Sequence, residues 1–207
     1  MSQLKLYRHP LSGHSHRVEL FLSLLGLDAE MIDVNLMAGE HKLDEFLEKN
    51  IFGQVPVLED GDITLADSNA ILVYLASQYD YEHTWLPIEP AIAAEVQRFL
   101  SIATGPIAQG PATARKINLF GARLDHVKAI EVAHNTLTTL DEHLEGRDWL
   151  AADFPTIADI ANYSYIAHAP EGDVSLRHYP NINVWLQRIE DLPGFIPLQS
   201  SVIGLAA

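Results

Sequence analysis

Between Gly53 and Ile71 the chain reads as two short strands, a tight turn and the start of a helix, and no other stretch limits the fold so closely. Val55-Pro56-Val57-Leu58 is a short apolar strand, Glu59-Asp60-Gly61-Asp62 is a charged turn, and residues 62–65 form a second strand. The turn is too short for a crossover, so the two strands pair as a hairpin. Asp67 and Ser68 then supply N-cap chemistry for a helix over residues 68–79. Pro56 has no N–H to donate, so it belongs at the first residue of its strand, at an edge, or in a cis turn. A strand edge beside a helix N-terminus offers a small extended anion backbone pairing and helix-terminal N–H groups together.

The elements before this run complete a small mixed sheet. Residues 3–8 place Leu4 and Leu6 on alternate positions and read as a first strand, which His9-Pro10 ends. Ser12 opens a helix over residues 13–25, with Val18, Leu20, Phe21, Leu24 and Leu25 at helical spacing and Gly26 after it. Residues 29–34 give a second strand, and Glu40 to Leu47 a short amphipathic helix. The resulting order, β-α-β-α-β-β-α within residues 1–80, is the thioredoxin-like α/β order. Residues 81–89, with Pro87, read as a linker, and residues 90–207 read as an all-α domain. Within it Gly105-Pro106 and Gly110-Pro111 predict a kinked or broken helix over 91–119. Further helices are predicted over 124–144, over 160–167 behind a Thr156-Ile157-Ala158-Asp159 capping box, and over 183–192.

Composition excludes several classes. The chain has no cysteine, so disulfides, thiolate metal sites and redox chemistry on a protein thiol are out. Lys and Arg total 13 against 28 Asp and Glu, a net charge of −15, and both parts are acidic when the chain is split at Asp80. Nucleic-acid binding needs a basic face, and there is no Lys/Arg cluster. No apolar run reaches the length of a membrane span, and Met1-Ser2-Gln3 leads into a strand with no signal-peptide core. The expectation is a cytoplasmic protein with no membrane or nucleic-acid partner. His14 and His16 lack carboxylate partners at ligand spacing, so no metal is expected.

Five motifs, in this order and spacing, give the chain its resemblance to a known family. They are His9-Pro10-Leu11-Ser12, Gly39-Glu40-His41-Lys42, Asn50-Ile51-Phe52-Gly53-Gln54-Val55-Pro56, Asp67-Ser68-Asn69-Ala70-Ile71 and Thr156-Ile157-Ala158-Asp159. Over nearly its whole length the chain resembles the soluble glutathione transferases, and among them the serine-type classes, phi, theta and related bacterial members. It departs from the zeta-class isomerases, whose first loop carries Ser-Ser-Cys-Ser where this chain has Ser12-Gly13-His14-Ser15. It also has Asp67 where the family often has Glu, which shortens the reach of the carboxylate by one methylene.

The resemblance implies a glutathione transferase that stabilises the thiolate of glutathione and delivers it to a small electrophile in an interdomain cleft. Ser12 would donate a hydrogen bond to the glutathione sulfur, with Ser15 as the nearby substitute; read from spacing alone, Ser12 is a helix N-cap. A free thiol ionises near about 8.5 and is a poor nucleophile at neutral pH until its pKa is lowered. Val55, before a cis Pro56, would pair its backbone with the cysteinyl unit, and Gln54 would bond the ligand backbone. Ser68 would hold the γ-glutamyl carboxylate and Asp67 its ammonium, although an Asp-Ser pair is equally ordinary capping. His41 and Lys42 would meet the glycine carboxylate. Leu11, His14, Gln109 and Arg115 would line the second-substrate pocket; the alternative for residues 105–115 is a kink that serves packing. The resemblance further implies a homodimer built from the third helix of one subunit and the fourth and fifth of the other. Two other readings stay open: glutathione-dependent reduction of a peroxide or disulfide, and a non-catalytic binding or regulatory protein on the same fold. A protein–glutathione mixed disulfide is excluded, because the chain has no cysteine.

Overall fold

The computed structural model of the protein describes residues 4–207. The predicted strand start at residue 3 and the Met1-Ser2-Gln3 leader lie outside the described residues. The chain divides into two units, the first running to Glu82 and taking in Pro193–Gln199, the second His83–Leu192 with Ser200–Ala207.

The first unit is a four-stranded sheet in the order β2-β1-β3-β4 with β1 (Leu4–Arg8), β2 (Ala29–Asp33), β3 (Val57–Asp60) and β4 (Ile63–Ala66). β1 runs parallel to β2 and antiparallel to β3, and β3 and β4 form the hairpin, with Asp60 opposite Ile63. The loop between them is Gly61-Asp62, and Gly61 takes a φ of 59°, the left-handed value that such two-residue hairpin turns require. Helices α1 (Gly13–Leu24) and α3 (Ser68–Tyr79) pack together, burying Val18, Leu20, Phe21, Ile71, Leu72 and Leu75. Helix α2 (Asp44–Leu47) sets Phe46 against Val34 and Val57 in a separate cluster.

Two predicted elements differ for local reasons. The helix expected over residues 40–47 is a 3₁₀ turn, Glu40–Lys42, and then α2, because Leu43 between them is extended at φ −75°, ψ 150°. The strand expected from Val55 begins at Val57, since the Val55-Pro56 peptide is cis and Pro56 has no N–H for the ladder.

The second unit is helical: α4 (Pro90–Thr104), α5 (Thr113–Phe120), α6 (His126–His143), α7 (Ile157–Ala167) and α8 (Pro180–Glu190). Every residue of α7 from Ile157 to Ile166 is buried, as befits a helix that is apolar on most faces. The capping box forms as expected, with the Asp159 carboxylate accepting the Thr156 amide. The same carboxyl group reaches further: it accepts the Leu150 amide and the Trp185 indole N–H, both at 2.9 Å, tying the loop before α7 and helix α8 to one buried side chain. Tyr163 and Tyr165 are buried.

The expected interruption of the fourth helix occurs at one of its two signals. Gly105 ends α4, with ψ at −106°. At Gly110-Pro111 the chain instead widens into a π turn over Ala108–Ala112 and continues as α5. A proline cannot supply an ordinary helical bond, and the wider turn absorbs its ring. The Thr113 hydroxyl donates to the Ala108 carbonyl at 2.8 Å across that turn. Gly110 is required there, since a Cβ would stand 2.7 Å from the Ala133 amide nitrogen.

Candidate functional site

The sheet topology gathers the first unit's motifs. Tyr7 pairs with Val57 and Val57 with Ala66, while Arg8 lies opposite Asp33. The last residues of β1, β2 and β4 and the first of β3 therefore share one end of the sheet. From that end emerge His9–Ser12, the loop holding His41 and Lys42, the Val55-Pro56 peptide, and Asp67-Ser68.

Ser12 is the N-cap of α1, with an extended backbone and its Oγ accepting the Ser15 amide at 3.2 Å. It is half-buried, whereas Ser15 is fully buried and its Oγ accepts the His9 amide at 3.2 Å. The two serines are thus separated by environment, Ser12 half-buried and Ser15 enclosed. Leu11 is half-buried, and its amide donates to His9 Nδ1. Burial pushes the His9 ring below its ordinary pKa, with Arg8 acting in the same direction against Asp33.

Asp67 caps α3 from a left-handed φ of 72°, its Oδ1 accepting the Asn69 and Ala70 amides at 2.9 and 3.0 Å. The carboxylate is exposed, while Ser68 beside it is 2% exposed. Val55 carries the cis bond to Pro56, and neither its N–H nor its C=O has a backbone partner among the described residues. Gln54 is exposed, and its carbonyl accepts the amide of the buried Asn50 at 2.8 Å. Asn50 also accepts the Phe52 amide, so one side chain shapes the whole turn into Gly53.

Gly53 brings this turn against the His41 loop. Its φ is 55°, and a Cβ would collide with the His41 carbonyl oxygen. Lys42 donates from Nζ to the Phe52 and Gly53 carbonyls, at 3.1 and 3.0 Å, which makes it a clamp on the turn as well as an exposed cation. The His41 Nδ1 is buried with no hydrogen-bond partner among the described residues. Burial, and then the neighbouring Lys42, lower the ring's pKa.

Two of the expected pocket residues have polar partners within their own units. His14 has its Nδ1 3.3 Å from Ser68 Oγ and 3.3 Å from Arg17 Nη1, at the start of α3. Arg115 is 2% exposed and its Nε binds Glu171 at 2.6 Å in a buried ion pair. Gln109 is exposed, with its amide bonded to the Gly105 carbonyl.

One residue was not foreseen. Arg17, completely buried, donates to Ser68 Oγ at 2.8 Å and Asn69 Oδ1 at 2.9 Å. The signal was present: an arginine in the middle of a helix whose other faces are apolar must either snorkel or find buried acceptors. His16, by contrast, reaches from Nε2 to the Ile196 carbonyl, away from His14. Among the described residues no cluster of three or more metal-binding side chains occurs, and no helix is long and apolar enough to cross a membrane.

Comparison with known proteins gives this geometry a family. Residues 2–77 match the model of the glutathione S-transferase N-terminal domain, and residues 125–193 that of the C-terminal domain. The chain is 36% identical to glutathione S-transferase 3 of Zea mays, over 94% of its own length and 92% of that protein's. A glutathione S-transferase from Pseudomonas fluorescens superposes with a TM-score of 0.90 at 32% identity, covering 96% of this chain and all of that one. A glutathione transferase homologue from Drosophila mojavensis, solved with bound glutathione, superposes with a TM-score of 0.86 at 29% identity, covering 93% and 90%. The thioredoxin-like α/β unit and the helical unit are those of this family, and the chain belongs to the glutathione S-transferases.

Proposed function

We propose that the protein binds glutathione at the gathered end of the first-unit sheet, stabilises its thiolate and transfers it to an electrophilic small molecule. The observation that carries this is Val55, whose N–H and C=O have no backbone partner among the described residues, at the same sheet end as the Ser12 loop and the Asp67-Ser68 cap.

In this reading Val55 pairs with the cysteinyl backbone, Pro56 fixes the direction of that edge, and Gln54 adds a side-chain bond. Ser68 and the N-terminus of α3 receive the γ-glutamyl carboxylate, and the exposed Asp67 oxygen faces its ammonium. His41, with an unsatisfied buried nitrogen, and Lys42 receive the glycine carboxylate. Ser12 is the catalytic group: its hydroxyl donates to the sulfur while its lone pair keeps capping α1. Thiolate stabilisation and positioning then supply most of the rate enhancement.

The division of labour follows the chain, with residues 1–80 holding glutathione, 81–89 linking, and 90–207 supplying contacts to the electrophile, among them Gln109; Leu11 joins them from the first loop. We further assign the protein to the cytoplasm and to a homodimer. Calorimetric titration with glutathione tests the binding step, and a panel of aryl halide, hydroperoxide and disulfide substrates tests the transfer. Binding of one glutathione per chain with turnover of at least one acceptor is expected. Absence of heat at millimolar glutathione contradicts the assignment, and a monomer in sedimentation contradicts the dimer.

A further inference from the structure

The start of α3 contains a buried charge that none of the assigned roles uses. Arg17 Nη1 has two hydrogens, and its two short contacts, Ser68 Oγ at 2.8 Å and Asn69 Oδ1 at 2.9 Å, use both. His14 Nδ1 stands 3.3 Å from Nη1 and 3.3 Å from Ser68 Oγ. With both Nη1 hydrogens committed, Nδ1 accepts the Ser68 hydroxyl hydrogen in the tautomer that carries the ring hydrogen on Nε2. A serine oxygen has one hydrogen and two lone pairs. Because Arg17 donates into a lone pair, the hydroxyl hydrogen is left pointing away from the guanidinium, as a donor. Ser68 is 2% exposed and Arg17 wholly buried, so neither group has bulk water to reorient it.

We propose that Arg17 is a positioning residue: it fixes the Ser68 hydroxyl as a hydrogen-bond donor and sets a buried positive charge behind it, shaping the N-terminus of α3 for the α-carboxylate of a γ-glutamyl ligand. His14 Nδ1 holds the hydroxyl hydrogen until the carboxylate, a stronger acceptor, takes its place. The inference rests on the assignment of Ser68 to the γ-glutamyl end. Asn69 serves as the second anchor, holding the guanidinium flat against the helix start. The sequence places all four groups at once, because α1 and α3 pack side by side and position 17 falls on the face of α1 turned to residues 68–69.

The test compares two ligands by calorimetry: glutathione, and 4-aminobutyryl-cysteinyl-glycine, which lacks only the α-carboxylate of the γ-glutamyl unit. Arg17→Met is expected to weaken glutathione about tenfold, the scale of one lost charge-assisted contact, and to leave the analogue unchanged. Ser68→Ala is expected to do the same, and the double variant to be no weaker than either single one, since Arg17 acts through Ser68. Glutathione binding unchanged in Arg17→Met, an equal loss for both ligands, or additive losses in the double variant would each overturn the proposal. If Arg17→Met does not fold, Arg17→Lys takes its place: the charge remains, but the ammonium ends one atom short of Nη1. A several-fold loss confined to glutathione is then expected, and no loss, or a loss shared by the analogue, overturns the proposal. Failure of the wild-type protein to bind either ligand overturns the glutathione assignment itself, and the role of Arg17 with it.

Discussion

Ser12 Oγ accepts the amide of Ser15, while the hydroxyl of Ser15 accepts the amide of His9, so the two serines of the first loop hold opposite sides of one turn. Only Ser12 has surface open to a ligand. Ser12→Ala removes the cap, at a cost of about 1 kcal/mol, and is expected to keep glutathione binding while raising the pH at which the bound thiol ionises. Ser15→Ala leaves the His9 amide without its acceptor, at a cost of about 1–3 kcal/mol, and is expected to leave the pH–rate profile unmoved. Denaturant melts paired with pH–rate profiles for the two variants separate the roles; an unmoved profile in Ser12→Ala removes Ser12 from catalysis.

Asp67 combines a cap and an exposed carboxylate, and one substitution divides them. Asparagine caps a helix as well as aspartate and tolerates the left-handed backbone found at φ 72°. Asp67→Asn is therefore expected to melt within about 0.5 kcal/mol of the wild type while binding glutathione more weakly, about tenfold. Asp67→Ala is expected to lose affinity and stability together. Equal affinity in Asp67→Asn would make Asp67 a cap alone.

The sequence made the third helix legible to the residue, because Asp67-Ser68 is a strong start signal and the apolar run behind it has one buried face. The hairpin was legible as a pairing but not in its bounds, since β3 begins at Val57, two residues after the expected start. The placements of Ser12, Val55, Pro56, Asp67 and Ser68 were readable because each sits at or beside an element boundary, where local chemistry limits the choice. Arg17 and Arg115 were not, because their partners lie 51 and 56 positions away and are chosen by tertiary packing. The position of Arg17 within its helix left two outcomes, snorkelling or buried acceptors, and packing decides between them. The Gly110-Pro111 pair marked the irregularity but not its form, because a break and a widened turn use the same residues.

Gly53 is the joint between the cis-proline turn and the His41 loop, so it offers a test of how rigidly these are coupled. Gly53→Ala forces a side chain into a left-handed backbone and against the His41 carbonyl. A loss of more than about 1 kcal/mol is expected. Glutathione affinity is expected to fall with it, because His41 and the Val55 edge move together. A melt like that of the wild type would mean that the turn relaxes without strain.

The helical unit should weaken in acid. Burial pushes the His168 ring below its ordinary value of 6.5, despite the Glu171 carboxylate 2.9 Å away. Burial would raise the Glu171 carboxyl, but the His168 ring, the Ser201 amide and the Arg115 guanidinium together hold it below 4.5. Both folded-state values are depressed, so each group binds fewer protons folded than unfolded, and each contributes stability that is complete above its unfolded value. That stability is lost as pH falls through the folded values, first below 6.5 for His168 and then below 4.5 for Glu171. Chemical denaturation between neutral pH and pH 4 is expected to show a falling midpoint. Glu171→Gln is expected to cost about 3–5 kcal/mol at neutral pH, because it leaves Arg115 charged and buried, and to flatten the lower part of that fall. An acid-independent midpoint contradicts the reading of this cluster.

On the proposed function, glutathione bound to this protein is a thiolate at neutral pH. Ultraviolet titration of the thiolate in the glutathione complex measures that directly. The bound thiol is expected to ionise well below the free value of about 8.5, and to return toward it in Ser12→Ala. Ionisation of the bound thiol at the free value in the wild-type protein would contradict the claim.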